Sequence, residues 1–314
     1  MSVFLRTFIR EMDIYLGGVF MNMALVSLLA VVVVFAIGAL KQNPLHLGVL
    51  GMLVAYVIGK VAGISEVQIM GFFPTTLFVR VFGIMLFFAI AQANGAIELL
   101  AKKMIAKTGR NTKLMPFVLF YVGIILGSIG INSLAGMAIL SGIGISLAAA
   151  SGANPLLYGI AAGYGIACGC YSPINEYTAN IITATENAKL PVHLMNIYLY
   201  CIVAFSISFL VIYLLLGGLK GGDDTKVAEK DNKVDILKDL PPFNRSQLVS
   251  LFGIIAVILL VALLKVDIGW SGLIVAVACI LLWACPCNEA LKKVSLSSLM
   301  LICGVGTLIN LASK

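Results

Sequence analysis

Residues 163–177, GYGIACGCYSPINEY, bring three glycines, two cysteines, a Ser-Pro pair, an asparagine and a glutamate together between two apolar flanks. A helix cannot run undisturbed through them. The glycines loosen it, and Pro173 removes a backbone donor while Ser172 and Asn175 offer polar side chains at the freed turn. The surrounding chain has 314 residues, 61% of them hydrophobic and 11% charged, with mean hydropathy +1.07. Such a composition belongs in a bilayer rather than around a soluble core. Non-helical backbone is tolerated at membrane depth only where protein buries it or it lines a wet cavity. The stretch therefore reads as a deliberate break in an all-α polytopic membrane protein.

Working outward, apolar runs near the length that crosses ~30 Å of hydrocarbon lie at 20–40, 45–63, 75–93, 194–217, 248–264, 268–284 and 297–311. Two further regions, 114–150 and 155–183, are equally apolar but are cut by Gly, Ser, Asn and Pro. In the first, LFYVGIILGSIGINSLAGMAIL (119–140) sets Ser128, Gly130, Asn132, Ser133 and Gly136 in the middle of a stretch too long for one span. A re-entrant hairpin with a polar tip fits it, and a broken helix fits the second. Half-helix N-termini concentrate free N–H groups and partial positive charge, which suits a carboxylate, whereas freed carbonyls suit Na⁺. Two breaks in one half of a chain point to a binding site near mid-membrane. The competing reading is that these small residues only let helices pack closely.

Charge sets the topology. The segment 101–113, AKKMIAKTGRNTK, carries five basic residues, and 218–246 carries six basic and six acidic residues with Gly-Gly and Pro-Pro. Both are expected on the cytoplasmic side, the second as a solvated linker. The first 19 residues mix charged and apolar types without a cleavage site and read as an interfacial segment. The net charge of +7 is accounted for by basic residues beside spans, so nucleic acid is not an implied partner.

The spans after the linker echo those before it. LGVLGMLVAYVIGKVAG and the following GFFPTTLFVRVFGIMLFFAIAQANG find weak counterparts in SGLIVAVACILLWACPCNE and VSLSSLMLICGVGTLINLASK. The first set starts outside and the second inside, which gives an inverted repeat. The expected organisation is a first repeat over 20–217, with scaffold helices at 20–93, a hairpin and broken helix at 114–183 and a return helix at 194–217. The linker follows, and a second repeat begins over 247–314. That second repeat reads as incomplete, the counterpart of the two broken segments being absent.

ISEVQIMGFFPTTLFVRVFGIMLFFAIAQANGAIELLAKK and NPLLYGIAAGYGIACGCYSPINEYTANII resemble the N-terminal half of the MatC-type dicarboxylate (malonate) carriers. These lie within the ion transporter superfamily that includes sodium-coupled citrate and dicarboxylate carriers. The resemblance implies a scaffold domain, an elevator-like transport domain, and substrate and cation held between hairpin tips and broken helices. Carried over by position, Asn132 and Ser133 are similar to a Ser-Asn-Thr hairpin-tip motif, with the order changed and Leu134 at the last place. Ser172, Pro173 and Ile174 match an SPI turn. The expected substrate-binding residues are thus Asn132, Ser133, Ser172, Pro173 and Asn175, and the expected cation-binding residues Ser128, Gly165, Gly169 and Glu176.

Other residues argue against other functions. Cys168 with Cys170, and Cys285 with Cys287, lack the spacing and the histidines of a zinc site and read as packing residues. His46 and His193 lie at span ends. Arg80, a turn or so into its span, is expected to snorkel. The chain has no phosphate-binding glycine loop and no nucleophile with a His or Asp partner in the membrane, so no enzymatic activity is expected. The implied function is secondary active transport of small di- or tricarboxylates in the inner (plasma) membrane. It is coupled to Na⁺ or H⁺, with no other cofactor and with a homodimer open to it. A channel or a structural subunit is the alternative, but a channel should show a continuous polar stripe rather than two breaks.

Overall fold

The computed structural model describes residues 23–38, 45–106, 111–220 and 240–312; the interfacial segment expected over 1–19 and most of the linker expected over 218–246 lie outside them. Among the described residues the chain is all-helical, without strands. The helices are α1 (Met23–Gly38), α2 (Leu47–Val61), α3 (Glu66–Met70), α4 (Thr75–Ala93), α5 (Ala96–Ala106), α6 (Met115–Ser128) and α7 (Ser133–Ser151). They continue as α8 (Pro155–Gly169), α9 (Glu176–Asn187), α10 (Leu194–Leu215), α11 (Arg245–Ala262), α12 (Ile268–Leu281), α13 (Cys287–Lys293) and α14 (Leu296–Ala312).

The few polar residues of this apolar chain mark where helices start. Side chains of His46, Ser65, Asn132, Asn154, Asn175, Asn244 and Asp267 each accept a backbone N–H in the first turn of the helix that follows. Some helices are shorter than the apolar runs that hold them. α2 and α12 have 15 and 14 residues, although both lie in runs expected to span cleanly. α12 begins only after its Asp267 cap, and a left-handed Trp283 (φ 61°) follows its end. Among the described residues, four helical segments are long and apolar enough to cross a membrane: 66–93, 133–151, 194–215 and 245–262. α13 and α14, bent by 60°, make a fifth if taken as one span.

Packing divides the chain into two compact units, Met1–Phe78 with Leu296–Lys314, and Val79–Ser295. In the first, Val34, Ala55, Phe72, Leu308 and Leu311 form the core. There α2 crosses α14 with backbones in contact: a Cβ on Gly48 would meet Met300 and Leu301, and Gly51 lies on Gly304. In the second unit α12 crosses α4 in the same manner, Gly269 against Val79 and Arg80, and Gly272 against Gly83. The partners correspond one to one at a constant separation of 221 residues: 48 with 269, 51 with 272, 79 with 300, 80 with 301 and 83 with 304. The helix caps His46 and Asp267 keep the same separation.

The second unit also contains the cluster of α6, α7 and α8. Leu119 lies against Gly144, so α6 and α7 run antiparallel. Ser141 donates to the Gly159 carbonyl at 3.0 Å, so α7 and α8 do too. α6 and α8 therefore run parallel, and both end at the same level.

Candidate functional site

The parallel course of α6 and α8 brings the two breaks together. Gly165 rests on the carbonyl of Phe120 and Gly169 on that of Ile124, so no side chain separates the two backbones. Each helix then unwinds through a sequence containing Ser and ending in Ile-Asn: residues 128–132 after α6, residues 172–175 after α8. In each, the asparagine starts the next helix. Asn132 Oδ1 accepts from the Ala135 N–H at 3.2 Å, and Asn175 Oδ1 from the Tyr177 N–H at 3.0 Å.

Side chains stitch one break to the other. Ser172 Oγ donates to the Ser128 carbonyl at 2.6 Å, and Asn175 Nδ2 donates to the Gly127 carbonyl at 2.9 Å. Asn132 Nδ2 donates to Glu176 Oε1 at 3.3 Å. Ser133 Oγ and Tyr177 Oη lie 2.8 Å apart. These contacts join the freed carbonyls of α6 to the second break, and the N-terminus of α7 to that of α9. Ser133, Ser172, Asn175 and Glu176 are buried, at 3%, 2%, 0% and 4% exposure, while Asn132 is half-buried. Buried groups of this kind need partners, and here the breaks supply them to each other.

Of the residues singled out from the sequence, Ser128, Asn132, Ser133, Ser172, Asn175 and Glu176 meet in this patch. Pro173 sits half-buried in the turn itself, where Asn175 N–H returns to the Ser172 carbonyl at 3.1 Å. Gly165 and Gly169 hold α8 against α6. Ser128 Oγ donates to Ile124 O and meets Tyr198 Oη of α10 at 2.6 Å. Cys168 and Cys170 are buried at the end of α8, and among the described residues no three His, Cys, Asp or Glu side chains gather as metal ligands.

Residues 21–170, just under half the chain, match the family model of the dicarboxylate carrier protein MatC N-terminus. Over those residues the chain is similar to the MatC-type dicarboxylate carriers. That family is one of carriers rather than of enzymes, and the match agrees with the helices long and apolar enough to cross a membrane. Comparison with curated proteins gave no match. The match includes α6, the first break, α7 and α8, and stops at Cys170, where the second break begins.

Tyr177 and Tyr198, whose hydroxyls reach Ser133 and Ser128, were not among the residues expected at the site. Tyr177 directly follows Glu176 and was within view; the repeated Ile-Asn pair was the signal that the two breaks are built alike. Arg80 is a correction. It does not snorkel to water: its side chain is 12% exposed and held by Asp267 and Glu186.

Proposed function

We propose that this MatC-type chain binds a small di- or tricarboxylate, of malonate or C4-dicarboxylate type, at the joined breaks and carries it by Na⁺- or H⁺-coupled secondary transport. One observation carries the reading: the N-termini of α7 and α9 meet beside the carbonyls freed at the ends of α6 and α8. Helix N-termini favour carboxylate and free carbonyls favour a cation, so one patch offers both kinds of ligand. Ser133, Asn132, Ser172, Pro173 and Asn175 are assigned to substrate, and Glu176, Ser128 and the carbonyls near Gly165 and Gly169 to the coupling ion. The constant 221-residue separation of the paired glycine crossings supports an inverted repeat, and the antiparallel α6–α7 pair supports a re-entrant hairpin. Both belong with elevator-type alternating access in the inner membrane, a hairpin and broken helix moving as a unit.

The test is thermal unfolding of the purified chain in detergent with malonate, succinate, citrate and acetate, with and without Na⁺ at fixed ionic strength. Stabilisation by di- or tricarboxylates but not acetate is expected. No shift with any of them would sink the reading. A shift that is the same in Na⁺ and in choline would assign the coupling to H⁺.

A further inference from the structure

The guanidinium of Arg80 is engaged on two edges by two different carboxylates. Nε donates to Asp267 Oδ2 at 2.7 Å, while the other oxygen of Asp267 caps α12 by accepting the Gly269 N–H at 2.9 Å. This pair is built into the α4–α12 crossing, where Gly269 lies on the Arg80 backbone. The opposite edge faces α9. Nη1 donates to Glu186 Oε2 at 2.8 Å and to Thr183 Oγ1 at 3.0 Å, and Nη2 donates to Glu186 Oε1 at 3.2 Å. Two parallel bonds from a planar fork to one carboxylate are the geometry in which Arg selects carboxylates.

The two acids differ in how they are held. Asp267 has a second role and is 32% exposed, whereas Glu186 is 55% exposed and its carboxylate has no other partner among the described residues. Glu186 also lies in the last turn of α9, an end that disfavours negative charge. Its place is owed to Arg80 alone.

A polar stripe leads from this fork to the breaks. Glu176, Asn180 and Thr183 follow at i, i+4 and i+7, which puts them on one face of α9 over about 10 Å of axis. Asn180 Oδ1 in the middle is buried with no hydrogen-bond partner among the described residues. Its Nδ2 is not buried in that way, so with the amide turned either way round one buried polar atom on the stripe awaits a partner.

We propose that the Nη1–Nη2 edge of Arg80, with Thr183, is a carboxylate-receiving site, that Glu186 fills it in this structure, and that a free dicarboxylate exchanges with Glu186 there before passing along α9 to the breaks. The inference rests on the carboxylate-carrier reading above. The exchange sets one carboxylate in place of another on the same fork, so Arg80 is never left uncompensated and Asp267 keeps its bond to Nε. A lysine, presenting a point charge instead of a fork, does not substitute.

Malonate and succinate binding to the purified chain, measured by calorimetry for the parent, Glu186→Gln and Arg80→Lys, tests this. Removing the internal competitor should tighten binding by about two- to fivefold, the worth of an exposed ion pair. Replacing the fork should weaken binding by about tenfold or more, as expected for lost hydrogen bonds to a charged ligand. A latch of purely structural use gives unchanged or weaker binding in both variants, and either result for Glu186→Gln overturns the proposal. Glu186 is exposed, so that variant keeps the test valid even if Arg80→Lys does not fold. A parent that binds neither anion overturns the carrier reading and this site with it; a parent that binds while Glu186→Gln does not tighten overturns this site alone.

Discussion

The side-chain amide of Asn132 donates to the carboxylate of Glu176 at 3.3 Å, joining the cap of α7 to the first residue of α9 across 44 positions of sequence. One position further along each helix, Ser133 and Tyr177 share a hydroxyl contact at 2.8 Å. The two breaks are therefore not independent interruptions. Whatever moves the start of α7 also moves the start of α9.

Asn175 holds the arrangement from within. It is fully buried, with Oδ1 capping α9 and Nδ2 bonded to the Gly127 carbonyl. Asn175→Ala removes a cap, about 1 kcal/mol, and a buried hydrogen bond worth about 1 kcal/mol more. Its unfolding temperature in detergent should fall below that of the parent without ligand present. Asn175→Asp keeps the cap and should fall between the two. Equal melting of all three would show that the bonds of Asn175 contribute nothing to the fold.

The α6–α8 crossing depends on bare backbone. A Cβ on Gly165 or Gly169 would run into the carbonyl of Phe120 or Ile124, whereas one on Gly163 meets nothing nearer than Ser141 Oγ at 3.4 Å. Gly165→Ala and Gly169→Ala should therefore each lower stability by about 1–3 kcal/mol, the usual cost of overpacking. Gly163→Ala should be tolerated and serves as the control in the same melting assay. Equal losses at all three positions would point to helix flexibility rather than to the crossing.

Helix positions and the two breaks were legible because they rest on local signals: apolar runs, and Gly, Ser, Asn and Pro inside them. Helix lengths were less so. A left-handed residue such as Trp283, just past the end of α12, closes a helix by geometry that hydropathy does not encode. The repeat was faint in sequence because lipid-facing positions accept any apolar residue. The crossings at 48, 269, 83 and 304 admit only glycine, and their constant 221-residue spacing is what supports the repeat. The partners of Arg80 were not legible at all. Asp267 and Glu186 lie 187 and 106 positions away, and pairing at that range is a property of the packed helices.

Sidedness can be tested at both ends of the second unit. Asn94 donates to Ser246 O at 3.0 Å and to Ala284 O at 3.3 Å, gathering one set of helix ends, while Arg80 and Asp267 gather the other. With 101–113 cytoplasmic, Lys113 lies inside and Lys265 outside, and both are exposed. On a background with the seven native cysteines replaced, an impermeant thiol reagent applied to intact cells should label a cysteine at 265 and not one at 113. The reverse pattern would invert the topology, and labelling at both would remove the charge argument altogether.

The sharpest expectation concerns Asn132. Unlike Asn175 it is half-buried, and its Nδ2 bonds a side chain rather than the backbone, so the donor can be turned to another acceptor. A carboxylate arriving at the start of α7 would find there the Ser133 hydroxyl and this amide, the groups that now serve Tyr177 and Glu176. Asn132→Asp keeps the cap of α7 but places a negative charge where the ligand's carboxylate would lie, and it should abolish dicarboxylate binding; set against Glu176, it should also melt below Asn132→Ser. Asn132→Ser keeps a capping oxygen, loses the amide donor, and should weaken binding by about tenfold or more, as for one lost hydrogen bond to a charged group. The order of affinities, parent above Ser above Asp, separates a ligand contact from a helix cap, because Asn, Asp and Ser cap helices almost equally well. If the three proteins bind malonate alike, the start of α7 is a packing junction and the carboxylate is held elsewhere.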